Sequence, residues 1–415
     1  MKIRSITLFA NPGSTINDDF LGLAARFCET VGEISRDLDL EIQTIRLATP
    51  PFPQFLSGLN EEQMIDYAVR LEETLAHHGF AYISLGPALP DYPASYALIP
   101  DLIQATQNTF FSSLMTQTGK GVSLQAVKAS GEIIHRLAPQ DPNGFANLYF
   151  AALGNVQAGG PFFPAAYHND HGPAFAIAVE GADLALKAFQ EGKDFTEARS
   201  NLITVLEEND AKLVKIAAGL EGATKTSFSG IDYSLAPYPD QSSSIGSALE
   251  SLGVERIGQQ GSLAAAAFLA DTIDRASIHR TGFSGLMLPV LEDSTLAQRA
   301  ADGSLGIKDL LLFSAVCGTG LDTIPLPGDS SAEQISAVLM DLAVLSLRLN
   351  KPLTARLMPI PGKKAGEETH FDFPFFANSR VMELNAEGLS RAFSADGYLD
   401  IKPRQKGIYD QVPRV

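Results

Sequence analysis

The run AVCGTGLDTIPLPGD, Ala315–Asp329, decides the fold class, because one helix ends in it and a strand begins. Leu310–Val316 reads as the close of a helix, Gly318 and Gly320 as its stop, and Leu321–Leu326 as a strand. Ser330 with Glu333 signals the start of a further helix through Leu349, and Leu353–Ile360 reads as the next strand. Strands separated by helices cannot pair through tight hairpins. The unit therefore implies a mostly parallel sheet or barrel with helices outside.

The same alternation extends in both directions. Strand candidates are Ile3–Phe9, Glu41–Leu47, Ala81–Leu85, Leu148–Leu153, Phe175–Val179 and Gly285–Pro289. Asn60 with Gln63 forms a capping box, and Met64, Ala68, Leu71 and Leu75 follow at helical spacing. A longer helix is expected from about Thr196 to Leu220, closing at Gly222, and another over Ser262–Ile278. No linker divides the chain. One domain over 1–403 is expected, with 404–415 as a flexible C-terminal tail.

The 415 residues are 45% hydrophobic, enough for a substantial core. Acidic residues outnumber basic ones, 48 to 31, which argues against nucleic-acid or anionic-membrane partners. A pocket can still be locally basic, so an anionic small-molecule ligand remains open. Cys28 and Cys317 make no disulfide framework, and a reducing cytoplasm is the expected compartment. The opening MKIRSITLFANPGST reads as a strand and not as a secretory leader.

Four regions carry candidate chemistry. In the first, Asp322 lies on a strand-loop edge suited to an acid, base or metal ligand. Cys317 lies at a helix C-terminus, where the dipole raises a thiol pKa unless a cation is near. In the second, His168, Asp170 and His171 cluster in a loop suited to a divalent cation or acid–base work, or to plain solvation. The third holds Asp232 within an apolar run, where a carboxylate must be paired, metal-bound or protonated for function, or serves equally well as a structural hydrogen-bond hub. The fourth brings Arg356 in a strand and Lys363 and Lys364 in the following turn, cations able to bind a carboxylate or phosphate, with a merely solvated turn the favoured alternative for the two lysines.

Together these segments resemble the uncharacterised family known as domain of unknown function 711. The carrying residues are GIDYSLAPYP (230–239), TGFSGLMLPVLED (281–293), AVCGTGLDTIPLPGD (315–329) and LTARLMPIPGKKAGE (353–367). FANLYFAALGN (145–155) and PFFPAAYH (161–168) add to them. That family is similar in fold to glycyl-radical enzymes of the pyruvate formate-lyase type. The resemblance implies a β/α barrel of two sheet halves, helices outside, around central loops. The radical enzymes' Arg-Val-x-Gly-aromatic motif is absent: Arg380-Val381 is followed by Met382-Glu383, which sets radical chemistry aside.

The resemblance ranks His168, Asp232, Glu292, Cys317, Asp322 and Arg356 highest, since all lie in matching segments. The resulting expectation is a cytoplasmic enzyme acting on a small polar or anionic metabolite at the barrel centre. Asp322, Asp232 and His168 would supply acid–base groups or hold a divalent metal ion, with Glu292 beside them. Arg356, Lys363 and Lys364 would hold the anion, with Gly318 and Gly320 at the same ligand. A non-catalytic ligand-binding protein and a Cys317 nucleophile are the rivals. A homodimer is compatible with such a barrel, and no interface motif marks it.

Overall fold

The computed structural model describes residues 2–38, 40–316, 318–389, 391, 393 and 396–404. In chain order its strands are β1 (Lys2–Phe9), β2 (Ile42–Ala48), β3 (Tyr82–Ala88), β4 (Thr109–Leu114), β5 (Thr116–Gln117) and β6 (Gly121–Ser123). They continue with β7 (Phe150–Gly154), β8 (Ala174–Glu180), β9 (Ser227–Ala236), β10 (Gly320–Pro327), β11 (Leu353–Ile360) and β12 (Tyr398–Leu399). Among the described residues nine of these form one sheet in the order β10-β11-β7-β4-β3-β2-β1-β8-β9. Strands β7, β4, β3, β2 and β1 are mutually parallel. At each side a parallel pair, β11 with β10 and β8 with β9, runs antiparallel to that central block.

The alternation of side chains divides the sheet into two faces. Leu47, Ile83 and Phe111 belong to the main core, packed with helices such as Asp18–Asp37, Glu61–His77 and Leu124–Leu137. Their chain neighbours Arg46, Tyr82 and Phe110 face a hollow on the other side. Helices cover one face because it is aliphatic. The opposite face carries the polar and aromatic residues, and the segment 161–168 packs into it through Phe163 and Ala166.

No closed barrel is present among the described residues; the ladder is an open sheet with edges β9 and β10. The expected strand Gly285–Pro289 is irregular instead. Its neighbourhood still touches both edges, through single parallel bridges from Arg280 to Ile231 and from Pro289 to Asp322. Proline at 289 lacks the N–H that a continuous ladder would need.

Three helix boundaries also differ from expectation. The helix expected to close at Gly222 spans Phe195–Thr224, because its buried stripe continues through Leu220 to Thr224. The helix expected to reach Ile278 ends at Arg275. The cap expected at Ser330 with Glu333 is Ser331 with Gln334, since the Ser330 hydroxyl donates to the Pro327 carbonyl at 2.6 Å and completes the turn after β10. Strand β4 was not anticipated. Most of the expected tail, 405–415, lies outside the described residues. No described helix is long and apolar enough to cross a membrane.

Candidate functional site

A cavity of about 600 Å³ opens at the N-terminal ends of β1–β4 and the C-terminal ends of β8 and β9. That volume suits a small organic ligand. Arg4, Arg46, Asp232, Glu292 and Arg356 all reach it, from β1, β2, β9, the loop after Pro289 and β11 respectively.

An alternating row of charges organises one wall. Arg4 donates from Nη2 to Glu292 Oε2 at 2.7 Å, and Arg356 donates from Nη2 to Glu292 Oε1 at 2.6 Å. Arg356 also donates from Nε to Asp322 Oδ1 at 2.6 Å. Glu292 reaches this position because Val290 N–H bonds the Asp322 carbonyl and Glu292 N–H bonds the Pro289 carbonyl, holding the loop against β10. The adjacent carboxylate turns away. Asp293 caps the helix Ser294–Ala301 and also accepts from Ser244, Ile245 and Gly246. Neighbouring acids in the LED triplet therefore serve opposite directions, one the cavity and one the scaffold.

Burial acts differently on the members of this row. It would raise the Glu292 carboxyl, but the Arg356 and Arg4 guanidiniums hold it below the usual glutamate range. Burial raises the Asp322 carboxyl, against the attraction of Arg356, and the Glu292 charge adds to the rise. Geometry agrees with that direction: Asp322 is fully buried and its Oδ2 has no hydrogen-bond partner among the described residues. Burial works to lower Arg356, and Asp322 and Glu292 together hold it above its ordinary value.

Arg46 differs from the other two arginines. Its Nε donates to Thr44 Oγ1 at 2.8 Å, and its guanidinium lies 5.5 Å from the Tyr82 ring centroid and 5.1 Å from that of Phe163. Among the described residues no carboxylate pairs with it. Burial and then the nearby Arg4 lower it to about 9, which leaves it cationic at neutral pH. Arg4 and Arg356 oppose its charge and Glu292 favours it, so this corner of the cavity is positive.

The other expected site residues divide. Asp232 lines the cavity, but its carboxylate is occupied: Oδ1 accepts from Ser234 N, Ser234 Oγ and Ser284 N, and Oδ2 from Phe283 N. Burial raises its pKa against those donors. Asp322 stands behind Arg356 and does not line the cavity. His168 is not brought to this place. It is buried near Phe9, its backbone N–H donates to the Thr49 carbonyl, and burial lowers its imidazole pKa.

Lys363 and Lys364 occupy the turn after β11 and do not line the cavity; Lys364 is exposed. Gly318 and Gly320 do not line it either. Gly320, at φ 110°, lets β10 lie against the Thr354 backbone, where a Cβ would collide. Cys317 lies outside the described residues. Among the described residues no three His, Cys, Asp or Glu side chains gather as a metal could require, so Asp322, Asp232 and His168 do not form the expected ligand set.

Arg4, Arg46 and the aromatic wall were not anticipated. Their signal was present: a lone arginine in the strand TIRLA sits at an alternate position to Ile45 and Leu47. Which face of β2 is polar becomes known only when the sheet is assembled.

The family model described as Uncharacterised ACR (DUF711) matches residues 1–379. A UPF0210 protein of Pyrobaculum aerophilum is 30% identical over 375 residues, 86% of this chain and 81% of the relative. Another, of Oenococcus oeni, is 28% identical across 84% of this chain and 80% of its own length. A third, of Desulforudis audaxviator, is 29% identical across 89% and 85%. The chain belongs to the DUF711 family, and these relatives carry the name UPF0210.

Proposed function

We propose that the protein binds a small anionic metabolite in this cavity, with Arg46 as the anchor. The observation that carries the reading is the contrast among three guanidiniums. Arg4 and Arg356 spend their charge on Glu292 and Asp322, whereas Arg46 has no described carboxylate partner and faces open space. A partly buried guanidinium is a strong bidentate anchor for a carboxylate or phosphate. In an acidic protein, a positive corner also selects which anions can enter. The bridges from segment 280–289 to both sheet edges support a two-halved barrel wall around this cavity.

Acid–base turnover of the bound anion is the second reading. Glu292 lines the cavity between Arg4 and Arg356 and supports a general-base role, while Asp322 acts from behind Arg356, accepting from its Nε and fixing its position. Asp232 adds little to it, because all its hydrogen bonds serve to hold Ser234 and the loop at 283–284.

Calorimetric titration with acetate and with inorganic phosphate tests the anchor. Arg46→Gln should weaken whichever anion binds by tenfold or more, the worth of a charged hydrogen-bonded pair. Unchanged affinity in that variant would remove Arg46 from the site.

A further inference from the structure

We infer that the ligand is a carboxylate carrying an aromatic or comparably bulky apolar body, held by a ring-lined wall that runs from Arg46 to the cavity mouth. This rests on the anion-binding reading above and adds the substrate class. The wall begins at the guanidinium itself, between Tyr82 and Phe163. Phe110 continues it, 5.3 Å from the Tyr82 centroid, 5.5 Å from Phe163 and 4.9 Å from Tyr149. Tyr149 packs in turn on the cluster of Leu148, Leu291, Met358 and Phe376.

From that cluster rises the run FDFPFF, residues 371–376, whose Phe373, Phe375 and Phe376 line the cavity. The run is fixed at both ends. Phe371 N–H bonds Asn378 Oδ1 at 3.0 Å, and Ala377 N–H bonds the Leu291 carbonyl at 2.7 Å, one residue from Glu292. Phe145 packs beneath it, 5.1 Å from the Phe373 centroid and 5.4 Å from that of Phe376.

Phe375 stands apart within this arrangement. It is 41% exposed, yet it contacts the Phe373 ring and meets Tyr238, which follows β9, edge-on at 5.8 Å. Two loops from different strands thus meet ring to ring at the mouth. An exposed phenylalanine alone would mean little. At the rim of the cavity it supplies apolar surface that a ligand's body would cover. A guanidinium set among aromatic rings recognises an aryl carboxylate better than a small hydrophilic acid.

Calorimetry of the full chain with sodium benzoate, sodium acetate and inorganic phosphate tests this. Benzoate should bind at least tenfold more tightly than acetate, as burial of a phenyl ring requires. The pair Phe373→Ala and Phe375→Ala should narrow that ratio below threefold. Phe375→Leu, which keeps an apolar side chain and guards against a folding defect, should narrow it partly. Equal affinities for benzoate and acetate, or binding of phosphate alone, would overturn the aromatic assignment and leave the anion reading standing. No binding of any of the three would overturn both.

Discussion

Glu292 is 5% exposed and carries two guanidiniums on its two oxygens, so its removal leaves Arg4 and Arg356 short of counter-charge inside the protein. Breaking a buried pair in this way costs about 3–5 kcal/mol, more than the pair itself contributes relative to apolar packing. Glu292→Gln should therefore lower stability by that amount at pH 7 in urea unfolding. The sign with pH follows from the depressed carboxyl. Its stabilisation is complete above the unfolded value of 4.5 and is lost as pH falls through the lower folded value. The gap between wild type and variant should shrink below about pH 4.5. A gap that stays constant to pH 3 would show that Glu292 is not held ionised by the arginines. Asp322 has the opposite sense, since a raised carboxyl contributes stability at low pH and loses it as pH rises. Asp322→Asn should accordingly cost less than Glu292→Gln at pH 7.

At the scale of elements, β10 shows how local irregularity aims a side chain. Its register with β11 shifts between Leu321 and Ile324, and Thr323 takes φ 45° at that shift. Such a bulge turns a strand and redirects its residues, here setting Asp322 against Arg356. Two residues earlier, Gly320 allows the close approach to Thr354 that starts the strand in register. Gly320→Ala should destabilise by at least about 2 kcal/mol, through both positive φ and backbone collision. A urea midpoint within error of wild type would show that β10 can shift without loss. Much at this scale was legible in the residues themselves. The strand expected over Leu321–Leu326 and the Asn60–Gln63 capping box stand as read. Where the reading failed, tertiary demands decided: Ser330 was needed in a turn, and buried Leu220 and Thr224 carried a helix past its glycine.

For the whole molecule, assembly of the sheet is what gathers Asp232, Glu292 and Arg356 from distant segments into one cavity. Asp232 and Arg356 were marked in the sequence because charge placed among aliphatic residues has to be used, whereas Glu292 was marked by the family resemblance alone. Lys363 and Lys364 had no such constraint, and they lie in the turn where they were expected, away from the cavity. Arg46 was hidden for a physical reason: alternation in β2 reveals that it opposes Leu47, but not that its side of the sheet encloses a polar hollow. The net charge of −17 likewise conceals a positive corner.

A crystal soaked in 4-bromobenzoate offers the most direct measurement, because anomalous scattering locates the bromine independently of any bias in placing the ligand. The bromine should appear within the cavity beside Phe373 and Phe375, with the carboxylate on the Arg46 guanidinium. A carboxylate seated instead at the Lys363–Lys364 turn, or a cavity without bromine at a saturating soak, would contradict the account.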